Sequence, residues 1–590
     1  MKIFFHTRRL LTLAGIGFGI GSVIVVATAR PADAARQPGD VPGQESFPLE
    51  SPIANPLIKR MQLALRKAGY YKGPIDGRIN GQTETAIRTY QRRENMAIDG
   101  IVTEQLVGRL ESSVKVRALL QQLHRQRLLK MESARNALLR SPKTRRLLAD
   151  RQRPRDAADP TRDPAPCFAA PTPQCLLAEA SESARAVFKD ELRYWALSEI
   201  LVAETKAGLV DRAMDTVRRI EDPRLMIVAL RDIAEAQAGS GRPAEALAAA
   251  DIIPDPLKRA EALAAIATIQ ATASGTAGNR TGALRTVKLL LEILPAINAP
   301  LKRVALQARG AIIQSRTGEI DAAAQTLADA KNKADRLRDR KARSVGLRHV
   351  AEALAETGHP GQALEILKNL PEQSEHTPVL VSAAAAQAKA GHADLALVTA
   401  ETIEIVRYRA VVLGRIAVAQ ATAGEMAAAE RTIEKALKAI KLIKLPFARA
   451  YAHERMARAL ISIARLQDGE TGKNTFRRAI ASAGRIDDNM LRAKTLWAIT
   501  DAQRRSGDIT AANKTGTLAE TETTSIRSKL TRVWMFCNIA TDRKAAAAPG
   551  LAARAFDRAL TLAEGIANPW ARARALAYLA STQVDLSASD

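Results

Sequence analysis

Several short runs in this 590-residue chain carry the residue types of catalytic motifs, and each lacks a part the chemistry needs. Gly469-Glu470-Thr471-Gly472-Lys473-Asn474 has the Gly-Lys pair of a phosphate-binding loop. Such a loop wraps phosphate in backbone N–H groups and holds Mg2+ with a Ser or Thr after the lysine. Here the leading glycine is replaced by Gln467 and the hydroxyl residue by Asn474, and no strand pattern precedes them. Ser112 and Lys115 have the spacing of a serine nucleophile and its base, and Lys514-Thr515-Gly516 has the form of the companion motif. That companion belongs on a β-strand, whereas its surroundings read as helix. His453-Glu454 lacks the second histidine of a zinc-protease helix. Asp76 to Gly81 offers one carboxylate where a calcium loop needs several oxygen ligands. The seven histidines are scattered, with no nucleophile–base arrangement among them. These runs predict a protein that is not an enzyme and has no catalytic residues, cofactor or metal.

The residues that do name a target lie between Ile58 and Leu110, in three helical patterns separated by Asp76-Gly77 and Asp99-Gly100. Ile58, Met61, Leu65 and Ala68 recur at helical spacing until Gly69 stops the first helix. Thr83, Ala86, Ile87 and Tyr90 form the inward stripe of the second. A short third helix is predicted from Thr103, a good N-cap, with Leu106 and Leu110 inward. The order and spacing of Gln62, Leu65, Gly69, Tyr70, Asp76, Gly77, Thr83, Ala86, Ile87, Tyr90, Gln91, Asp99, Gly100 and Leu110 resemble the three-helix peptidoglycan-binding domain often attached to bacterial cell-wall enzymes. The family's usual Gly-Pro after the first turn is Asn80-Gly81 here, and Thr103 and Leu106 stand where Gly and Thr are usual after the second. The resemblance implies that Gln62, Tyr70, Asp76, Gly77, Thr83, Tyr90, Gln91, Asp99 and Gly100 are the family positions of a peptidoglycan-binding site. Most are core or turn residues, so they speak for the fold before the ligand. The cysteine motif of L,D-transpeptidases, which often carry this domain, is absent.

Ahead of this stretch, residues 1–34 read as an export signal. Lys2, Arg8 and Arg9 form a basic start, and the apolar run from Leu10 to Ala29 follows. Ala32-Asp33-Ala34 then places small residues before a cut between Ala34 and Ala35. The run is long enough to span a bilayer, so an uncleaved inner-membrane anchor is the alternative. Residues 35–55 are rich in Pro, Gly, Gln and Ser and read as a flexible tether to a peptidoglycan-binding domain at 56–112.

Residues 113–150 read as a basic helical segment, with Leu119, Leu120, Leu123, Leu128, Met131 and Leu138 as an interrupted apolar stripe and Pro142 as a breaker. From Lys115 to Arg155 there are thirteen Lys or Arg against Glu132 and Asp150. Residues 115–155 are thus either a solvated helix packed on one face or a contact for an anionic membrane or polymer. The whole chain carries a formal charge of +26, yet aromatic residues make up 4% of it, few for a protein that stacks bases, and no nucleic acid is expected. Residues 151–174 form a proline-rich linker. Cys167 and Cys175 flank a proline loop in a chain read as exported, which predicts a disulfide between them, with Cys537 a core residue.

From Cys175 onward the sequence repeats. A glycine followed five positions later by alanine recurs at Gly208, Gly241, Gly318, Gly358, Gly391, Gly424 and Gly507. Gly208 and Gly241 are 33 residues apart, as are Gly358, Gly391 and Gly424, which is the period of stacked helical hairpins. Leu230 and Ile233 before Gly241, and Leu413 and Ile416 before Gly424, mark the inner stripe of each first helix. The glycine, the alanine and the Asp-Pro openings (Asp222-Pro223, Asp255-Pro256) resemble the tetratricopeptide repeat, with alanine often in place of its large aromatics. The resemblance implies an α-solenoid over 175–587, about ten units with a concave protein-binding face, and a polar helix around Arg572 to Gln583 is expected to cap it.

The chain is therefore expected to be all-α, with a three-helix peptidoglycan-binding domain followed by an α-solenoid of TPR-like hairpins. Its expected role is an exported, non-catalytic scaffold of the periplasm or cell envelope, with peptidoglycan and unidentified envelope proteins as partners. The alternative is a targeting or regulatory subunit for a peptidoglycan hydrolase or synthase. A polyanion or nucleic-acid binder, argued from charge alone, is the weakest reading.

Overall fold

The structure, a computed structural model, describes residues 54–149, 157–272, 277–370 and 372–588. The export signal, the cut between Ala34 and Ala35, most of the tether and the first residues of the proline-rich linker lie outside the described residues. Among those described, the regular elements are all helices, arranged in two compact units that divide after Arg125.

In the first unit, α1 (Pro56–Ala68), α2 (Gly81–Arg93) and the start of α3 (Glu104–Arg140) enclose a small core of Met61, Leu65, Ala86, Ile87, Tyr90, Leu106 and Leu110. Local chemistry sets their ends. Asn55 Oδ1 accepts from the Leu57 amide at 2.8 Å and Pro56 occupies the first turn of α1. The Asn80 side chain caps α2 through the Thr83 amide at 2.9 Å, and Thr103 Oγ1 accepts from the Leu106 amide at 3.1 Å. The third helix is not short. No proline interrupts it before Pro142, and its Leu, Arg, Lys and Gln residues are strong helix formers, so it continues to Arg140. The stripe expected along it divides: Leu119, Leu120, Leu123 and Leu128 are exposed, Met131 is half-buried and Leu138 is fully buried. α4 (Pro142–Ala149) follows the break.

The second unit continues with α5 (Ala165–Ala169) and α6 (Pro173–Arg185), and then ten hairpins. Their pairs are α7 (Asp190–Lys206) with α8 (Val210–Arg218), α9 (Pro223–Gly239) with α10 (Pro243–Asp251), and α11 (Pro256–Thr272) with α12 (Ala277–Ile293). Next come α13 (Pro300–Arg316) with α14 (Ile320–Asp335), α15 (Arg340–Glu356) with α16 (Pro360–Lys368), and α17 (His376–Lys389) with α18 (Ala393–Glu401). The last four are α19 (Val406–Thr422) with α20 (Met426–Lys441), α21 (Pro446–Ala464) with α22 (Gly469–Ala483), α23 (Asn489–Arg505) with α24 (Ile509–Ser525), and α25 (Lys529–Ala545) with α26 (Pro549–Glu564). A final helix, α27 (Pro569–Ser587), closes the series.

Seven of the ten hairpins are built as the spacing predicts. Gly424 has φ +85°, and the Glu425 amide reaches back to the Gln420 carbonyl at 2.9 Å, closing α19 in a left-handed turn that an L side chain resists. Five residues on, Ala429 is buried where the two helices come closest. A signal not singled out from the sequence repeats alongside: Thr432 donates to Gln420 Oε1 at 2.7 Å, Thr399 to Gln387 at 2.8 Å and Thr286 to Gln270 at 2.8 Å. Thr216 makes the equivalent bond to Glu204 at 2.8 Å. These bonds pin the two helices of a hairpin and satisfy a polar pair that burial would otherwise penalise.

The expected polar cap is corrected by α27, whose Ala573, Arg574, Leu576, Leu579 and Ala580 are buried. α27 packs on α6 as the first helix of a hairpin packs on its second, and it also packs on α7. Pro569, Leu576 and Leu579 repeat the spacing of Pro223, Leu230 and Ile233, while Ala180 and Ala184 of α6 with Val187 just beyond it repeat that of Ala213, Val217 and Ile220. The two ends of the array therefore supply the two halves of an eleventh hairpin, and the solenoid closes into a ring. Each first helix packs on the next first helix all the way round, and the second helices make no comparable contact. Neighbours touch where the circumference is shorter, so the first helices line the inside.

Candidate functional site

The two Asp-Gly turns of the first unit are held by the same device. Gln62 is fully buried on α1; its Nε2 donates to Asp76 Oδ1 at 2.9 Å and to the Arg78 carbonyl at 2.8 Å, and its Oε1 accepts from the Gly77 amide at 2.8 Å. Gln91 on α2 does this for the second turn, donating to Asp99 Oδ1 at 2.6 Å and accepting from the Gly100 amide at 3.0 Å. Each aspartate also accepts from the amide two residues on, Arg78 at 3.0 Å and Ile101 at 2.9 Å. Gly77 at φ +79° and Gly100 at φ +74° supply the left-handed backbone that these turns require. The hydrogen bond from Gln62 holds the Asp76 carboxyl below its ordinary range. For Asp99 the Ile101 amide does most of this, with Gln91 behind it.

Of the nine family positions, Gln62, Gly77, Thr83, Tyr90, Gln91 and Gly100 are buried and build the framework. Tyr70, Asp76 and Asp99 remain accessible. The Tyr70 ring is half-buried, edge-on to Tyr90 at 5.7 Å between centroids, with the Arg93 guanidinium 6.0 Å from its own centroid. An aromatic ring beside a cation is suited to a ligand that combines sugar or methyl faces with charged groups. Residues 54–110 match the family described as "Putative peptidoglycan binding domain". They carry a domain of that family.

No curated protein matches the chain. Among solved structures, Ton1535 from Thermococcus onnurineus NA1 aligns at 17% identity over 55% of this chain and 98% of its own, with a TM-score of 0.27. The human IFIT1 dimer with m7Gppp-AAAA aligns at 15% identity over 66% and 94%, with a TM-score of 0.25. A circular tandem repeat protein with novel repeat topology aligns at 13% identity over 70% and 97%, with a TM-score of 0.16.

In the second unit, Cys167 and Cys175 are bonded, with Cα atoms 5.8 Å apart, and tie α5 to the start of α6. Cys537 is buried on α25, and burial pushes its thiol up to about 12. The run Gly469 to Asn474 lies in the first turns of α22, Lys514 to Gly516 lie within α24, and Ser112 and Lys115 lie on α3. His453 is buried, its Nδ1 3.2 Å from Ser482 Oγ; burial, then the charges of Arg485 and Arg449, bring it down to about 4. It is a core residue between α21 and α22.

The ring seam holds a cluster that the sequence did not advertise. Arg574 is 4% exposed and pairs with Glu199 on α7 through contacts of 3.0, 3.0 and 2.6 Å. Its guanidinium lies 4.2 Å from the ring centroid of Trp195 and 4.5 Å from those of Trp534 and Trp570. Lys206 donates to Ser581 at 3.0 Å and Gln583 to the Pro171 carbonyl at 2.6 Å, so both sides of the seam are fastened.

Proposed function

We propose that this protein is an exported, non-catalytic scaffold of the bacterial cell envelope, holding peptidoglycan with its first unit and protein partners with its ring. The observation that carries the reading is the peptidoglycan-binding-type domain with both Gln–Asp–Gly brackets in place, on the same chain as a helical repeat array. The basic start, apolar run and Ala32-Asp33-Ala34 triplet of the sequence support export, with cleavage after Ala34 in the periplasm. N-terminal sequencing of the protein from envelope fractions is expected to begin at Ala35; a start at Met1 or Lys2 would mean an anchored form.

Binding is tested by co-sedimentation of the full chain with purified peptidoglycan at about 0.1 M and 1 M salt, where the Debye length falls from about 10 Å to 3 Å. A shaped site should retain the protein in the pellet at both. Breaking the brackets with Gln62→Ala and Gln91→Ala should release it, whereas Arg125→Gln, Arg127→Gln and Lys130→Gln on α3 should not. Loss at high salt together with release by the α3 variant would assign binding to charge and overturn the reading.

A further inference from the structure

Viewed down a first helix, the residues opposite its buried stripe face the interior of the ring. For α19 these are Val411, Arg415, Val418 and Thr422, opposite Leu413 and Ile416. The same positions carry Tyr451, Arg455 and Arg458 on α21, and Lys494, Asp501 and Arg505 on α23. The carboxylates within this arc are already engaged. Glu454 pairs with Arg455 at 3.3 Å and with Arg458, and Asp501 pairs with Arg543 at 3.2 Å. Arg415, Lys494 and Arg505 make no hydrogen bond or ion pair among the described residues. Arg415 and Arg505 are exposed and Lys494 is half-buried, where burial and then the neighbouring Arg458 hold its amine below the ordinary range. Arg455 repels Arg415 and Arg465 repels Arg505, while Asp501 and Asp542 attract Arg505 and Glu454 and Asp542 attract Lys494. Arg415, Arg455, Arg458, Lys494 and Arg505 against Glu454 and Asp501 leave these three successive first helices with a positive surplus.

On the opposite arc the inward carboxylates are matched by cations. Glu199, Asp232 and Glu261 on α7, α9 and α11 are paired with Arg574, Arg231 and Lys258 at 2.6, 2.7 and 2.8 Å. The cationic surplus on α19, α21 and α23 therefore has no counterpart on α7, α9 and α11. Beside it lie exposed apolar side chains: Tyr408, Phe447 (73% exposed) and Tyr451, with Arg407 and Arg455 each 4.8 Å from the centroid of a tyrosine. Arginine interleaved with exposed aromatics is the composition of a protein-binding patch, whereas a bare polyphosphate would leave the rings unused. Eleven helices about 9 Å apart enclose an opening roughly 20 Å across, wide enough for an extended chain or one helix of about 10–12 Å.

We infer that the inner face of the ring at α19, α21 and α23 is a docking site for an acidic polypeptide segment that also carries apolar side chains. The inference rests on the reading of the ring as a protein-binding element and supplies the address and chemistry that the reading lacks.

The test uses the full chain carrying Arg125→Gln, Arg127→Gln and Lys130→Gln, so that α3 does not contribute. The probe is a fluorescein-labelled glutamate–tyrosine copolymer, with a lysine–tyrosine copolymer and inorganic polyphosphate as comparison arms. The acidic copolymer should bind and slow amide exchange in α19, α21 and α23. Adding Arg415→Glu and Lys494→Glu should weaken it by about tenfold or more. Because reversing charges can perturb folding, Phe447→Ala with Tyr451→Ala serves as a second variant at exposed positions. It should weaken the copolymer severalfold and leave polyphosphate unchanged. Polyphosphate binding more tightly than the copolymer, with no effect of the aromatic variant, would overturn the assignment to a polypeptide. Copolymer protection on other helices would overturn the site while the protein-binding reading stands. Binding of neither copolymer would remove that reading and the site together.

Discussion

Replacing Arg574 with methionine is the most direct test of ring closure, because the residue joins α27 to α7 across 375 positions of sequence. The substitution roughly conserves apolar bulk but leaves the Glu199 carboxylate, whose side chain is 18% exposed, without its partner. Stranding a buried charge typically costs about 3–5 kcal/mol, and loss of the guanidinium from three tryptophan faces adds to it. Converting Glu199 to Gln as well removes the stranded charge, so the double variant should lose only about 1–2 kcal/mol. The second substitution should therefore recover about 2–3 kcal/mol of what Arg574→Met alone loses. Urea unfolding followed by intrinsic fluorescence reads the event locally, since Trp195, Trp534 and Trp570 surround Arg574 and the chain has four tryptophans in all. A pH dependence with a defined sign accompanies it. Burial already raises the Glu199 carboxyl against the pull of Arg574, and removing Arg574 raises it further. A carboxyl raised in the folded state stabilises below its unfolded pKa of about 4.3, and that contribution is lost as pH rises through the folded value. Arg574→Met should thus be less impaired at pH 5 than at pH 8. Additivity of the two substitutions within about 0.5 kcal/mol, with no pH dependence, would refute the account of the seam.

Gln62→Ala should destabilise the first unit by about 1–3 kcal/mol, because the Gly77 amide and the Arg78 carbonyl lose their buried partner; circular dichroism melts would show it. His453, lowered to about 4, contributes stability that is complete above its unfolded value near 6.5 and is lost as pH falls through 4. His453→Gln should accordingly flatten the acid limb of the stability profile between about pH 6.5 and 4. Ala547 sits at φ +54° at the turn between α25 and α26, where most hairpins have glycine, so Ala547→Gly should raise the urea midpoint by the equivalent of about 1 kcal/mol. Peptide mapping without reductant should recover Cys167 linked to Cys175 and Cys537 as a free thiol; reduction should cost about 2–3 kcal/mol for so short a loop.

The periodic parts of this fold were legible because they depend on neighbours in sequence. The left-handed glycines, the close-packed alanines and the stripes at Leu230 and Ile233 each follow from helical spacing. The bracket residues Gln62 and Gln91 stood out by type and place. Their work, holding turns 8 to 15 residues away, emerges only when α1 and α2 fold back on those turns. Ring closure was hidden for a different reason. Among the described residues no helix pairs with α6 from the preceding stretch or with α27 from a following one, so neither shows the hairpin signature alone. The Pro569, Leu576, Leu579 spacing marks α27 as a first helix, and it is the one signal from which the missing second helix could have been sought. The cationic arc was illegible because its residues share a face only once α19, α21 and α23 stand side by side.

The split hairpin also imposes an order on biosynthesis. Delivered N-terminus first, α6 precedes α27, and its buried face, which includes Leu176, Leu177, Ala180 and Ala184, at first has no α27 to meet. During that interval the array grows as an open arc with an apolar edge at each end, and a second nascent chain at the same stage presents the same edges. Exchange of α27 between two such chains would satisfy every seam contact at the cost of a dimer. The last nineteen-residue helix therefore decides whether the product is a single ring or an interlocked pair.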